Sequence, residues 1–268
     1  MLDTATYRQA FDREAGALAT AAALGLEAPV PSCPGWTVAI LLGHLTAGVY
    51  GSRIVALKAL PADYQIDRYE DLGLPVDFKD WLWAVREDRT PGGPPPQGLL
   101  ELFRATVAEL GSLLYCVDPA TPIRTWWPPQ QTAGFLQRRM LLETAIHRWD
   151  AQLAHGQPEP IEPELAADGI DEIFDVLIPG LRGRSDAARS GAGETYHFHR
   201  TDGPGEWLIR FAPDGPVVTR EHRKGDAAIR GSASDLFLFL WHRIPANRLE
   251  TFGDPALLDR YFELAPPA

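Results

Sequence analysis

The chain of 268 residues is 45% hydrophobic and 23% charged, the make-up of a globular protein able to bury one large core or two modest ones. Its formal net charge of −11, with no basic cluster beyond short runs such as Arg138-Arg139, leaves no electrostatic footprint for DNA, RNA or an anionic membrane. Cys33 and Cys116 are the two cysteines and form no C-x-x-C, so neither a disulfide framework nor a cysteine zinc site is expected.

In chain order, apolar periodicity with Tyr7, Phe11, Leu18 and Leu24 predicts a first helix over 4–24, stopped by Gly25. A loop then leads into PSCPGWT (31–37), where Thr37 is an N-cap and Trp36 with Leu41 fits a hydrophobic staple. Val38, Leu41, Leu42, Leu45 and Val49 trace the apolar stripe of the second helix, and His44 lies beside it. The connection over 61–98, with Trp81, Trp83 and the breaker run Pro91-Gly92-Gly93-Pro94-Pro95-Pro96, is long enough to cover a site. Helices over 97–116, with Leu100, Phe103, Val107, Leu110 and Leu114 on one face, and over 132–154 complete a set of four. An up-and-down bundle is their economical arrangement.

After His155 the pattern changes. GQPEPIEPE reads as a linker, 163–178 as a helix and LRGRSDAARSGAG as a flexible stretch. Short strands follow over 195–200, 206–211 and 216–222, separated by Asp202-Gly203-Pro204-Gly205 and Pro213-Asp214-Gly215 as in an antiparallel meander, with a fourth over 227–230. Ser232 to Asp235 spells a capping box ahead of LFLFLW, and Asp254-Pro255 is an N-cap with proline at N1. The expected fold is α+β: a four-helix bundle over 1–155 and a smaller α+β domain with an antiparallel sheet over 162–268. MLDTATYR lacks a signal peptide's basic start and apolar core, and no apolar run reaches bilayer length, so a cytoplasmic protein is expected.

The chemistry-bearing residues are His44 on the second helix and Glu143 with His147 on the fourth. Four residues place Glu143 and His147 one turn apart on one face, where they can close on a single ion with His44 from a neighbouring helix. Two imidazoles and a carboxylate leave an open position on zinc or a similar divalent ion, the pattern of a catalytic site. The same spacing also describes an exposed pair with Arg139 reaching Glu143, and a lone histidine such as His44 also serves as a packing residue. His197 and His199 alternate on one strand face but have no carboxylate or third ligand close in sequence, and read as surface residues. Cys33 reads as a small buried packing group, and Trp36, Trp126 and Trp127 as packing ahead of pocket lining. No H-E-x-x-H, G-x-S-x-G, Walker or dinucleotide fingerprint occurs, which argues against zincin proteases, serine hydrolases and nucleotide enzymes.

PSCPGWTVAILLGHL (31–45) and RRMLLETAIHRWDAQL (138–153) resemble the mycothiol-dependent maleylpyruvate isomerase family, a branch of the DinB-like metalloenzymes. GEWLIRF, KGDAAIRGSASDLFLFLW and FGDPALLDRY resemble segments of that family's C-terminal domain, so the likeness covers nearly the whole chain. Ala39-Ile40 stands where many relatives carry a polar or charged pair. The resemblance implies a DinB-like bundle with His44, Glu143 and His147 as ligands of a divalent metal, zinc first, and mycothiol as cosubstrate.

The expected function is therefore that of an enzyme using a small thiol to isomerise, or transfer sulfur to, a small electrophilic substrate, with no nucleic-acid or membrane partner. Arg139, one turn before Glu143, is a candidate for holding an anionic group, with an intrahelical salt bridge as the alternative. Asp150 is a candidate for orienting the His147 imidazole, with a helix-surface role as the alternative. The rival readings are a hydrolase using metal-bound water and a non-catalytic metal-binding or regulatory protein of the same fold.

Overall fold

The computed structural model describes residues 4–58, 78–87, 89–182 and 191–265. Residues 61–77 and 88 of the connection expected over 61–98, and residues 183–190 of the stretch LRGRSDAARSGAG, lie outside the described residues. The chain divides into two compact units between Glu159 and Pro160. Among the described residues no helix is long and apolar enough to cross a membrane.

The first unit is helical. Helix α1 spans Thr4–Ala22 and buries Tyr7, Phe11 and Leu18. It ends before Leu24, which is exposed, because the backbone tightens into short-range bonds from Leu24 N to Ala21 O and from Gly25 N to Ala22 O. The second helix runs as α2 (Val38–Gly43), a π-helical stretch over His44–Gly51 and α3 (Ser52–Leu57). Within the long connection lies a further helix, α4 (Lys79–Arg86). Helices α5 (Leu99–Leu114) and α6 (Ala133–Ala154) complete the bundle. Helix α1 packs on α6 and α5, and the α2–α3 rod packs on α5 and α6. The first and second helices are therefore not principal partners, an arrangement that the long connection over 23–37 permits.

Helix α4 rests against α2 and the π-helical stretch. Gly43 makes room for it: a Cβ there would stand 2.8 Å from the Trp81 ring and 3.3 Å from Val85. Trp81 and Val85 are buried by this contact.

Helix α6 is enclosed on nearly every side. Besides Leu136, Met140, Leu141 and Ile146 it buries Gln137, Arg138, Arg139, Thr144, His147, Arg148 and Asp150. Buried polar groups are tolerated only when they are paired, and here many meet other helices. Gln137 Nε2 donates to Leu114 O at 2.9 Å, and Tyr50 Oη pairs with Thr144 Oγ1 at 2.6 Å. Arg148 donates from Nε to Glu14 of α1 at 2.8 Å and from Nη1 to Gln152 at 2.7 Å and Glu159 O at 2.6 Å.

The second unit carries a five-stranded sheet in the order β3-β2-β1-β4-β5. The strands are β1 (Glu194–Arg200), β2 (Glu206–Ala212), β3 (Gly215–Thr219), β4 (Ala227–Gly231) and β5 (Glu250–Gly253). β1, β2 and β3 form the expected antiparallel meander, whereas β4 returns beside β1 in parallel and β5 closes on β4 antiparallel. The sheet is thus mixed at one pairing.

Helices α7 (Pro163–Glu172), a π-helical turn over Ile173–Leu177, α8 (Ile178–Arg182), α9 (Ala233–Leu240) and α10 (Pro255–Leu264) accompany the sheet. Tyr196 and Phe198 of β1 contact Tyr261 of α10 with ring centroids 5.2 and 5.5 Å apart, and Phe174 reaches Phe198 at 5.3 Å. This aromatic cluster is the core of the second unit. Period-2 alternation then turns His197 and His199 to the opposite face of β1.

Candidate metal centre

Two loops of like construction set the two helices that matter. Before α2, Pro29 and Thr37 form an isolated antiparallel bridge, and Thr37 accepts a hydrogen bond from Ile40 N as N-cap. Before α6, Pro122 and Thr132 bridge in the same way, and Thr132 caps Phe135 N. The side-chain oxygen satisfies a helix-terminal N–H that has no partner within the helix. In the first loop, Trp36 N donates to Cys33 O at 2.9 Å, and Gly35 takes a φ of +86°, a left-handed conformation that glycine adopts without steric cost.

His44, Glu143 and His147 are brought together. His44 Nε2 stands 3.5 Å from Glu143 Oε1, and His147 Nε2 stands 3.3 Å from the same oxygen. The two imidazoles meet edge to face with centroids 5.2 Å apart. Ligand atoms around a tetrahedral zinc at 2.0–2.1 Å are separated by about 3.3 Å, which both contacts to Glu143 approach, and the three donor atoms all lie within 4.8 Å of one another.

The surroundings set the charge. Arg139 Nη2 bonds Glu143 Oε2, so the intrahelical salt bridge, the alternative to an anion-holding role for Arg139, is present. Burial pushes the Glu143 carboxyl up, but Arg139 and the hydrogen bonds from His147 and His44 outweigh it and hold the group well below the usual carboxylate range. Asp150 is fully buried rather than on the helix surface. Its Oδ2 accepts from His147 Nδ1 at 2.9 Å and its Oδ1 accepts from Ser32 Oγ at 2.6 Å. Burial lowers the His147 pKa, but Asp150 and Glu143 prevail and raise it to about 9. With Nδ1 turned to Asp150, Nε2 is the nitrogen that faces Glu143 and His44. A cation is favoured at that point, and a divalent ion fits where the proton otherwise sits.

Three residues here have roles that the sequence does not announce. Trp36, expected as packing, lies over both imidazoles, 5.0 Å from His44 and nearly parallel to His147 at 6.2 Å. Ser32 holds Asp150 through a contact between distant segments, for which no local pattern exists. Arg53 of α3 has its Nε buried without an acceptor among the described residues. Burial first and then Arg139 lower its pKa, with Glu143 opposing, which places Arg53 in the same electrostatic neighbourhood. Cys33 is half-buried rather than packed away, its Sγ 3.7 Å from Asp150 Oδ2. Trp126 and Trp127 pack in their loop, Trp126 against Phe135 at 5.8 Å.

The surface reading of His197 and His199 requires correction. His197 is buried, and cross-strand pairing brings both toward Glu206, with His222 arriving from the segment after β3.

The chain thus joins a helical unit holding a His-Glu-His trio to an α+β unit. Family models match both halves: the mycothiol maleylpyruvate isomerase N-terminal domain over 7–152 and the MDMPI C-terminal domain over 164–260. The chain belongs to the mycothiol-dependent maleylpyruvate isomerase family. Crystal structures of the mycothiol-dependent maleylpyruvate isomerase and of a histidine-to-alanine mutant of that enzyme share the fold, each with a TM-score of 0.59, 13% identity and 93% of either chain covered. No curated protein matches the sequence.

Proposed function

We propose that this chain is a divalent-metal enzyme that uses a low-molecular-weight thiol, mycothiol, to isomerise a small electrophilic substrate or to transfer sulfur to it. The observation that carries the reading is the convergence of His44 Nε2, Glu143 Oε1 and His147 Nε2 at 3.3–3.5 Å beside a buried orienting carboxylate. Three protein ligands are a catalytic set, since a closed structural centre uses four. When bound, a zinc-type ion supplies an open position at which a thiol loses its proton near neutral pH.

The chain's own side chains do the rest. Asp150, held by Ser32, accepts the Nδ1–H of His147 and fixes the tautomer that leaves Nε2 as a ligand. Arg139 keeps Glu143 ionised. Trp36 shields the imidazoles from water on one side. Arg53, with its unpaired buried Nε, supplies a positive group for an anionic substrate such as a keto acid carboxylate. The thiol sulfur adds to an electrophilic carbon. The double-bond electron pair moves onto the conjugated carbonyl. In isomerisation the adduct rotates about the carbon–carbon bond thus made single, re-forms the double bond and expels the thiolate, and in transfer the adduct takes up a proton and is the product.

Elemental analysis followed by turnover assays with maleylpyruvate and related electrophiles, with and without mycothiol, tests the proposal. One ion per bundle and thiol-dependent turnover are expected. In cobalt-loaded protein a sulfur-to-metal charge-transfer band should appear on adding mycothiol. A loaded protein with no thiol response but with hydrolytic activity would establish the water-activating reading instead, and stoichiometric metal without any turnover would establish the non-catalytic one.

A further inference from the structure

We propose that His197, His199, Glu206 and His222 form a second metal site in the sheet unit, a closed four-ligand centre for a zinc-type divalent ion that ties β1, β2 and the segment after β3 together.

The placement follows from the pleat. His197 and His199 are two residues apart on β1 and share a face. Glu206 is the register partner of His199 across the antiparallel β1–β2 ladder. β3 lies on the far side of β2, and Arg220, just beyond its end, is anchored to Asp171 and Asp175 of the neighbouring helical segment. That anchor delivers His222, two residues on, to the same carboxylate. Three of the chain's seven histidines meet at this one point.

The donor atoms are already directed inward. His197 Nε2 is 2.6 Å from Glu206 Oε2, while His199 Nδ1 and His222 Nδ1 are 2.6 and 3.0 Å from Glu206 Oε1. One donor atom from each of the four residues lies within 4.8 Å of all the others. A tetrahedral ion at 2.0–2.1 Å needs about 3.3 Å between donors, so the carboxylate contacts must open and the widest separations must close. His222, with its side chain 75% exposed, is free to make the largest adjustment. Imidazole ligands select zinc, nickel or copper over calcium or magnesium. Four protein ligands leave no vacancy, so the site is structural. It differs in this from the trio in the bundle, where Arg139 occupies the second carboxylate oxygen.

The test uses tag-free full-length protein with the bundle trio disabled by His147→Ala, so that the two sites are counted separately. His147→Ala should retain one zinc per chain after gel filtration, and adding His199→Ala or Glu206→Gln should remove it. Because His197 is buried, its replacement can disturb folding. His222→Ala leaves the packing intact and should weaken zinc in a chelator competition by more than the ~10–100-fold that loss of an outer hydrogen-bond partner causes. A zinc-free His147→Ala protein whose far-UV spectrum is native would overturn the site, as would one zinc that survives both His199→Ala and His222→Ala. If wild-type protein holds a single zinc that His199→Ala abolishes and His147→Ala does not, this site stands and the metal reading of the bundle trio falls.

Discussion

The bundle trio and the sheet quartet are built from the same residue types, yet their neighbours push them toward different chemistry. In the bundle, Glu143 divides its oxygens between two imidazoles and Arg139, and Asp150 fixes His147 from behind. The result is a three-donor set with an oriented imidazole and a positive flank. In the sheet, Glu206 meets three imidazoles, and the fourth donor comes from a side chain that solvent reaches. An open coordination set belongs to a reaction, and a closed one to a clasp. Whether an arginine or a third imidazole stands at the carboxylate is what separates them.

The largest effect that would break this contrast comes from His147→Ala. It should lower metal affinity at the bundle trio by orders of magnitude and abolish thiol-dependent turnover. The helices should remain folded, because Leu41, Leu42, Phe103, Leu110 and Leu142 form a core without it. Circular dichroism beside metal analysis checks this, and an unfolded variant would mean that the bundle site is structural as well.

Glu14→Ala probes what holds the bundle apart from any ion. Arg148 and Glu14 are both buried and joined at 2.8 Å. Removing Glu14 takes the carboxylate from a buried guanidinium, and breaking a buried pair in this way costs about 3–5 kcal/mol. Urea unfolding should show that loss while metal stoichiometry stays at the wild-type value in the folded fraction. A cost below about 1 kcal/mol would show that the partners Arg148 keeps, Gln152 and the Glu159 carbonyl among them, satisfy the guanidinium.

What is legible in the sequence, and what is not, follows the range of the interactions. Thr37, Thr132, Ser232 and Asp254 announce helix starts because each side chain bonds an N–H within three residues. The Glu143/His147 pair is visible for the same reason, since one helical turn fixes its geometry. His44 enters through the resemblance of its segment to a family and not through spacing. The parallel β1–β4 pairing, strand β5 and the packing of α4 on Gly43 depend on distant partners and leave no local trace. By local pattern Asp150 suits the surface equally well, because Ser32, which helps hold it, lies on another loop. His197 and His199 have no carboxylate close in sequence, and Glu206 reaches them by strand register.

Asp150→Asn should sharpen the contrast at intermediate size. The amide keeps the volume but favours the wrong His147 tautomer, and the expected loss is ~10–100-fold in affinity at the bundle trio. The quartet, whose histidines have no such carboxylate behind them among the described residues, should be unaffected. The pH dependence of affinity adds a sign. The His147 pKa of the ion-free protein is raised to about 9, so below that pH an entering ion must displace a proton. Apparent affinity should therefore fall by up to about tenfold for each pH unit below 9 and level off above it. Chelator competition from about pH 6.5 to about pH 9.5 reads the slope, and a flat profile would show that His147 is already neutral without the ion.

The smallest expected effect concerns the sheet unit alone. His242 follows α9 at a φ of 58°, and among the described residues it is the one non-glycine with positive φ. Its N–H bonds Phe239 O at 2.8 Å and Arg243 N bonds Leu238 O at 2.8 Å, the Schellman pattern whose left-handed position glycine usually fills. The imidazole packs on Phe262 with centroids 3.9 Å apart, and burial, aided by Arg243 and opposed by an Ala265 backbone bond, lowers its pKa from 6.5 to about 4. A histidine held neutral in the folded state contributes its stabilisation in full above pH 6.5 and loses it as pH falls toward 4. His242→Gly should regain about 1 kcal/mol of left-handed backbone cost, lose a comparable amount of packing, and so change stability little near neutral pH. Between pH 6.5 and 4, however, the variant should lose stability less steeply than the wild type. Parallel acid limbs in the two proteins would assign the acid sensitivity of this unit to groups other than His242.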